Sequence, residues 1–222
     1  MWPNDQCLIY RHLRRRSRKL AHLLGCSLIA GVLVGCSQLP SAPSAPSISA
    51  RGASSEAMTL YDTNQDGKID ADEMKAPGCP LAAAIKTIDA NRDGAVTRDE
   101  IKDRIRKWQA STSRLMMITP RFYFDQKPLV GATVTFEAAE FLGIPDVSYT
   151  AVTDAEGAAK FSGTDRQYPG IYLGLYRIRV SKKDHGKELI PAKYNTNTVL
   201  AHEVASDPWV PSFFKGFDLR SK

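Results

Sequence analysis

Two stretches of the chain repeat one pattern: DTNQDGKIDADE from Asp62 to Glu73, and DANRDGAVTRDE from Asp89 to Glu100, 27 residues further on. In the first, oxygen donors stand at positions 1, 3, 5, 7, 9 and 12 as Asp62, Asn64, Asp66, the carbonyl of Lys68, Asp70 and Glu73. In the second the same positions hold Asp89, Asn91, Asp93, the carbonyl of Ala95, Thr97 and Glu100. Position 6, where such a loop must turn sharply, is Gly67 in one and Gly94 in the other, and glycine makes that turn without steric cost. Acidic loops are common; six correct positions repeated twice are not. A hard cation with six to eight oxygen ligands at about 2.3–2.6 Å fits this donor set. Calcium is therefore expected at two sites, and magnesium is the weaker candidate because it prefers a tight octahedron and keeps its waters.

Both dodecamers resemble EF-hand loops at every ligand position. The resemblance extends to position 8, where Ile69 and Val96 are expected to join the paired loops by a short backbone contact. It also implies that Glu73 and Glu100 each supply two oxygens. The first loop presents four carboxylates (Asp62, Asp66, Asp70, Glu73) and the second three (Asp89, Asp93, Glu100), so the first site is expected to be tighter. Arg92 and Arg98 should weaken the second further. Leu81, Ala84, Ile85 and Ile88 before the second loop, and Ile101, Ile105 and Trp108 after it, fall at helical spacing. Sensor EF-hands expose a methionine-rich groove; this segment has only Met58 and Met74, and Pro77 stops the first exit helix after about one turn. A structural role for the metal is favoured. The alternative is a docking module gated by calcium, as a sensor or in the manner of dockerins; the Pro77-Gly78 break departs from the dockerin pattern.

The N-terminal 35 residues read differently. Arg11, Arg14, Arg15, Arg16, Arg18 and Lys19 precede an apolar run, Ala21 to Val34, of about 14 residues. That is short for a membrane span and right for a secretory signal. The run ends Leu33-Val34-Gly35-Cys36, which resembles the lipobox of bacterial lipoproteins. The resemblance implies cleavage before Cys36 and acylation of its thiol, hence membrane attachment through lipid in the cell envelope. Ser37, where an aspartate would redirect sorting, implies the outer membrane, or the periplasmic face, if the host is double-membraned. Of 30 basic and 24 acidic residues, six basic and one acidic precede Cys36, which leaves 24 against 23. The basic excess thus belongs to the signal, and nucleic acid is not an expected partner. Cys7 and Cys26 leave with the signal and Cys36 carries lipid, so Cys79 alone remains and no intramolecular disulfide is expected. Residues 36–56, rich in Ser, Ala and Pro, read as the lipidated cysteine and a tether.

From Arg114 onward, RFYF, ATVTFEA, VSYTAVT and YRIRVSK alternate with period two between turn sequences. Phe122 and Phe124, then Ala132, Val134 and Phe136, then Tyr176, Ile178 and Val180 should each line one strand face. The expected fold is α+β in two domains, a helical pair over 57–110 and an antiparallel β-sandwich over 114–222. KPLVGATVTFEA (Lys127 to Ala138), AVTDAEGAAKF (Ala151 to Phe161), LYRIRVSK (Leu175 to Lys182), IPAKYN (Ile190 to Asn195) and Phe217-Asp218-Leu219 resemble the carboxypeptidase-regulatory-like domain, of transthyretin-like fold. That resemblance implies fold far better than function. A transthyretin-like family that hydrolyses a urate breakdown product ends in Tyr-Arg-Gly-Ser, whereas this chain ends FDLRSK. After Cys36 only His185 and His202 remain, and no catalytic constellation is legible, so no enzyme is expected. Tyr168, Trp209, Phe213 and Phe214 are candidates for either core or a recognition surface. The partner class expected is an envelope protein or a polysaccharide.

Overall fold

Ser49 is where regular structure begins in the computed structural model, which describes residues 45–161, 170–207 and 216–222. The signal, Cys36, Tyr168, Trp209, Phe213 and Phe214 lie outside the described residues. Ser49 caps helix α1 (Ala50–Tyr61), its hydroxyl accepting from Gly52 N at 3.1 Å. The helix starts inside the segment read as a tether to residue 56. Composition misled there: Ala53, Ala57, Met58 and Tyr61 form a buried stripe, and small residues let the helix lie close to its neighbour.

Strand β1 (Lys68–Ile69), 3-10 turns at Glu73–Lys75 and Leu81–Ala84, helix α2 (Ile85–Ile88), strand β2 (Val96–Thr97) and helix α3 (Arg98–Ala110) complete the helical part. The exit from the first loop is one 3-10 turn closed before Pro77. The entry to the second is a 3-10 turn running into a single α-turn, less regular than its apolar spacing suggested. β1 and β2 pair antiparallel, Lys68 with Thr97 and Ile69 with Val96. Ile69 and Val96 are fully buried. Cys79 is buried too, and burial raises its thiol pKa, which suits an inert apolar side chain.

Ten strands follow: β3 (Leu115–Met116), β4 (Phe122–Phe124), β5 (Lys127–Pro128), β6 (Thr133–Ala138), β7 (Ser148–Val152), β8 (Ile171–Tyr172), β9 (Gly174–Ser181), β10 (Lys183–Asp184), β11 (Lys187–Glu188) and β12 (Ala201–Val204). The last strand is β13 (Phe217–Leu219). The larger sheet runs β12-β9-β6-β7 and is antiparallel throughout. A second sheet runs β13-β4-β5, while β3 pairs β8 and β10 pairs β11. β13 lies parallel to β4, Phe217 beside Phe122, which corrects the wholly antiparallel expectation. Period-two alternation fixes which side chains share a face, not the direction in which a distant strand returns.

The two sheets meet through rings. His202 of β12 bridges them, edge-on at 6.3 Å both to Phe136 of its own sheet and to Phe217 of the other, while Phe217 stacks at 4.9 Å on Phe122 beside it in the smaller sheet. Ala132, Val134, Phe136, Tyr176, Ile178 and Val180 are buried as their alternation requires. The Asp154–Gly157 turn is closed by Gly157 N donating to Asp154 O at 3.0 Å. Gly157 is held at φ +74 with its missing Cβ 2.4 Å from the Phe122 carbonyl, so no larger residue fits. The opposite face of the larger sheet carries Leu175 and Glu203, and against it the helical part packs. Tyr61 meets Phe141 edge-on at 6.5 Å, and helical and sheet residues form one continuous buried cluster. Residues 57–110 and 114–222 are thus joined through a core, not merely through the chain. Among the described residues no helix is long and apolar enough to cross a membrane.

Burial pushes the His202 imidazole down to about 4 from an ordinary 6.5. The folded state therefore holds His202 neutral where the unfolded chain would protonate it. Stability is fully present above pH 6.5 and falls as pH drops through the window to 4, by up to about 3 kcal/mol. Urea midpoints measured between pH 7 and 4 should show this loss, and His202→Phe should flatten the upper part of the window, near pH 6, where few carboxylates titrate.

Candidate metal centre

Each loop begins where a helix ends. Asp62 caps α1, its N–H donating to Met58 O at 3.0 Å, and Asp89 caps α2 through Ile85 O at 2.9 Å. From there the two loops share one hydrogen-bond scheme. Asp62 Oδ2 accepts from Gly67 N at 3.1 Å, and Asp89 Oδ2 from Gly94 N at 2.9 Å. Asn64 Oδ1 accepts from Asp66 N, as Asn91 Oδ1 does from Asp93 N, both at 2.9 Å. Asp66 Oδ1 accepts from Lys68 N at 3.0 Å, and Asp93 Oδ1 from Ala95 N at 2.9 Å. The glycines at position 6 stand at φ +88 and +86, and position 4 is also left-handed, Gln65 at φ 60 and Arg92 at φ 62. Lys68 and Ala95, whose carbonyls are the seventh-position donors, sit at or beside the β1–β2 bridge.

The twelfth residues draw each loop closed. Glu73 Oε1 accepts from Thr63 N at 2.8 Å and Asn64 N at 3.1 Å, while Oε2 accepts from Asp70 N at 3.0 Å. Glu100 does the same with Ala90 N at 3.0 Å and Thr97 N at 2.9 Å. Hydrogen bonds from Asp70 N, and then from the Asn64 and Thr63 groups, hold the Glu73 carboxyl below its ordinary pKa, against a smaller opposing effect of burial. Ala95 N, then the Asn91 side chain, lowers Asp93 likewise. Both acids are thereby kept in the charged form a cation needs.

Position 9 separates the loops. Asp70 Oδ1 accepts from Asp72 N and Glu73 N at 2.8 and 3.0 Å, leaving its other oxygen without a hydrogen bond among the described residues. Thr97 instead caps α3 in a capping box with Glu100, its hydroxyl donating to Glu100 Oε2 at 2.7 Å. Its oxygen serves the helix first.

The donor set fits a calcium ion. Carboxylate oxygens offer two lone pairs each, so an acid bonded to a loop amide still has ligand capacity. None of the seven carboxylates at ligand positions forms an ion pair with Lys or Arg among the described residues, although Asp72 and Asp99 at position 11 of the same loops, and Asp103 close by, all do. The acids lie along each loop on its own amides; no three His, Cys, Asp or Glu side chains converge into one cluster among the described residues.

The EF hand family model matches residues 56–76 and 81–103. The helical segment is an EF-hand pair. Both matched stretches contain a complete loop with parts of its flanks, and calcium binding is the property they carry. No curated protein and no solved structure matches the chain.

One cluster beside this EF-hand pair escaped the sequence reading. Arg104 of α3, 3% exposed, donates from Nε to Glu203 Oε1 of β12, also 3% exposed, and from Nη2 to Asp207 Oδ2 at 2.6 Å. Trp108 Nε1 donates to Glu203 Oε1 at 2.9 Å, and the Thr87 hydroxyl donates to Oε2. The signal was present: Arg104 falls between Ile101 and Ile105 on the apolar stripe of α3, and a charge there needs a buried partner.

Proposed function

We propose that this protein is a lipid-anchored calcium-binding protein of the cell envelope, in which two calcium ions rigidify the EF-hand pair. Asp62, Asn64, Asp66, Lys68, Asp70 and Glu73 hold one ion, Asp89, Asn91, Asp93, Ala95, Thr97 and Glu100 the other, and the first is tighter by one carboxylate. The observation that carries this reading is the repetition of one hydrogen-bond scheme in two loops whose acids at ligand positions have no basic partner among the described residues. Burial of Met58 and Met74, 8% and 6% exposed, favours a structural role over a sensor with an open methionine groove. The four-stranded and three-stranded sheets with ring contacts between them are in keeping with a transthyretin-like sandwich, serving as scaffold or as a recognition module for an envelope protein or polysaccharide. Cys36 supplies the lipid anchor.

Two measurements test this. Thermal unfolding at calcium about a hundredfold above the dissociation constants should exceed that in chelator by roughly 3–5 kcal/mol in stability, since each saturated site contributes about 2.7 kcal/mol at most. Equal curves would refute the structural role. Replacement Cys36→Ser should move the protein from the membrane to the soluble fraction; unchanged membrane association would refute the anchor.

A further inference from the structure

We propose that Glu203, a residue of the sheet, is a positioning residue for the second calcium loop. This rests on the EF-hand reading above. A loop closes on a cation by bringing its first and twelfth positions together. Asp89 follows α2, and Glu100 lies in the first turn of α3. Glu203 Oε2 takes the Thr87 hydroxyl from α2, while Oε1 takes Arg104 Nε and Trp108 Nε1 from α3. One buried carboxylate from outside the EF-hand pair therefore holds both helices that flank the second loop, at fixed separation. Among the described residues, no side chain of the sheets hydrogen-bonds to both flanks of the first loop.

The consequence for binding is entropic and electrostatic. Helices already held at the angle that the loaded loop requires lose less freedom when the ion arrives. The second loop has one carboxylate fewer and a Thr97 committed to capping α3, so preorganisation by Glu203 offsets part of its deficit in charge. Linkage makes the effect mutual: calcium in this loop tightens the Glu203 junction by the same factor by which the junction raises calcium affinity.

Calcium titration of the whole protein, followed by the amide resonances of Gly67 and Gly94, reads the two loops separately, because these N–H groups donate to Asp62 and Asp89. Thr87→Val cuts the α2 arm, together with the hydroxyl's local contact to Ala84 O at 2.8 Å, and keeps the Arg104–Glu203 pair. It should weaken the Gly94 transition about five- to tenfold and leave the Gly67 transition within about twofold. Glu203→Gln should do more in the same direction; if it fails to fold, Thr87→Val decides. A folded Thr87→Val protein with an unshifted Gly94 midpoint, or with both midpoints shifted alike, overturns the proposal. Absence of any calcium response in the unsubstituted protein would instead overturn the EF-hand calcium sites themselves, and the proposal with them.

Discussion

Replacing Trp108 by alanine should destabilise the whole folded unit by about 4 kcal/mol, loosening the sheets as well as the helices. Trp108 is 6% exposed and belongs to the cluster shared by α1, α3 and the larger sheet. Large-to-small changes of buried aromatic residues cost about 3–5 kcal/mol, through the lost burial of the removed atoms and the cavity left behind. The indole N–H also satisfies Glu203, and a buried carboxylate deprived of one donor adds about 1 kcal/mol or more. Trp108→Phe separates the two contributions: it keeps most of the volume, loses the donor, and should cost about 1–2 kcal/mol. Urea unfolding followed by both helical and strand signals checks the claim. Coincident transitions shifted to lower urea are expected. A helical transition that moves while the strand transition stays would mean two independent domains and no shared core.

The second large effect concerns the metal. Glu73→Gln should weaken calcium at the first loop by at least about a hundredfold, since even residues that merely orient ligands cost 10–100-fold when changed. The carboxylate does two things at once in this structure. It draws positions 2, 3 and 9 together through its hydrogen bonds, and it carries a full charge for the ion. Glutamine keeps the size but loses the charge and one acceptor. Calorimetric titration should show the tighter of two events lost, with the second retained. Loss of the weaker event instead would reverse the ranking of the sites, and a titration like that of the unsubstituted protein would remove Glu73 from the ligand set.

Both EF-hand loops were legible in the sequence because the pattern of such a loop is local: oxygen donors at fixed spacing and a glycine where φ must be positive. Strand faces were legible for a related reason. Alternation alone places Val134, Phe136, Ile178 and Val180 on one side of the sheet. What escaped was non-local or compositional. Arg104 and Glu203 are 99 residues apart, and nothing near either names the other. The parallel return of β13 beside β4 is set by tertiary packing, not by alternation. The start of α1 hid in a segment whose Ser and Ala content resembles a linker, although Ser49 is a good cap and Ala53 and Ala57 are spaced as a helix face.

The larger change is in how the EF-hand pair is stabilised. Residues 57–110 contain a single cysteine, Cys79, and so no internal disulfide, which units of roughly 55 residues commonly need. The sheet supplies part of that support through Leu175, Glu203 and the buried face of α3. Metal then acts on a unit already anchored at one side. Chelation is expected to loosen the loops and β1–β2 rather than dissolve residues 57–110 outright.

Equilibrium dialysis of the purified protein against millimolar calcium tests the central claim most directly: two bound ions per chain are expected, and recovery of none would contradict it.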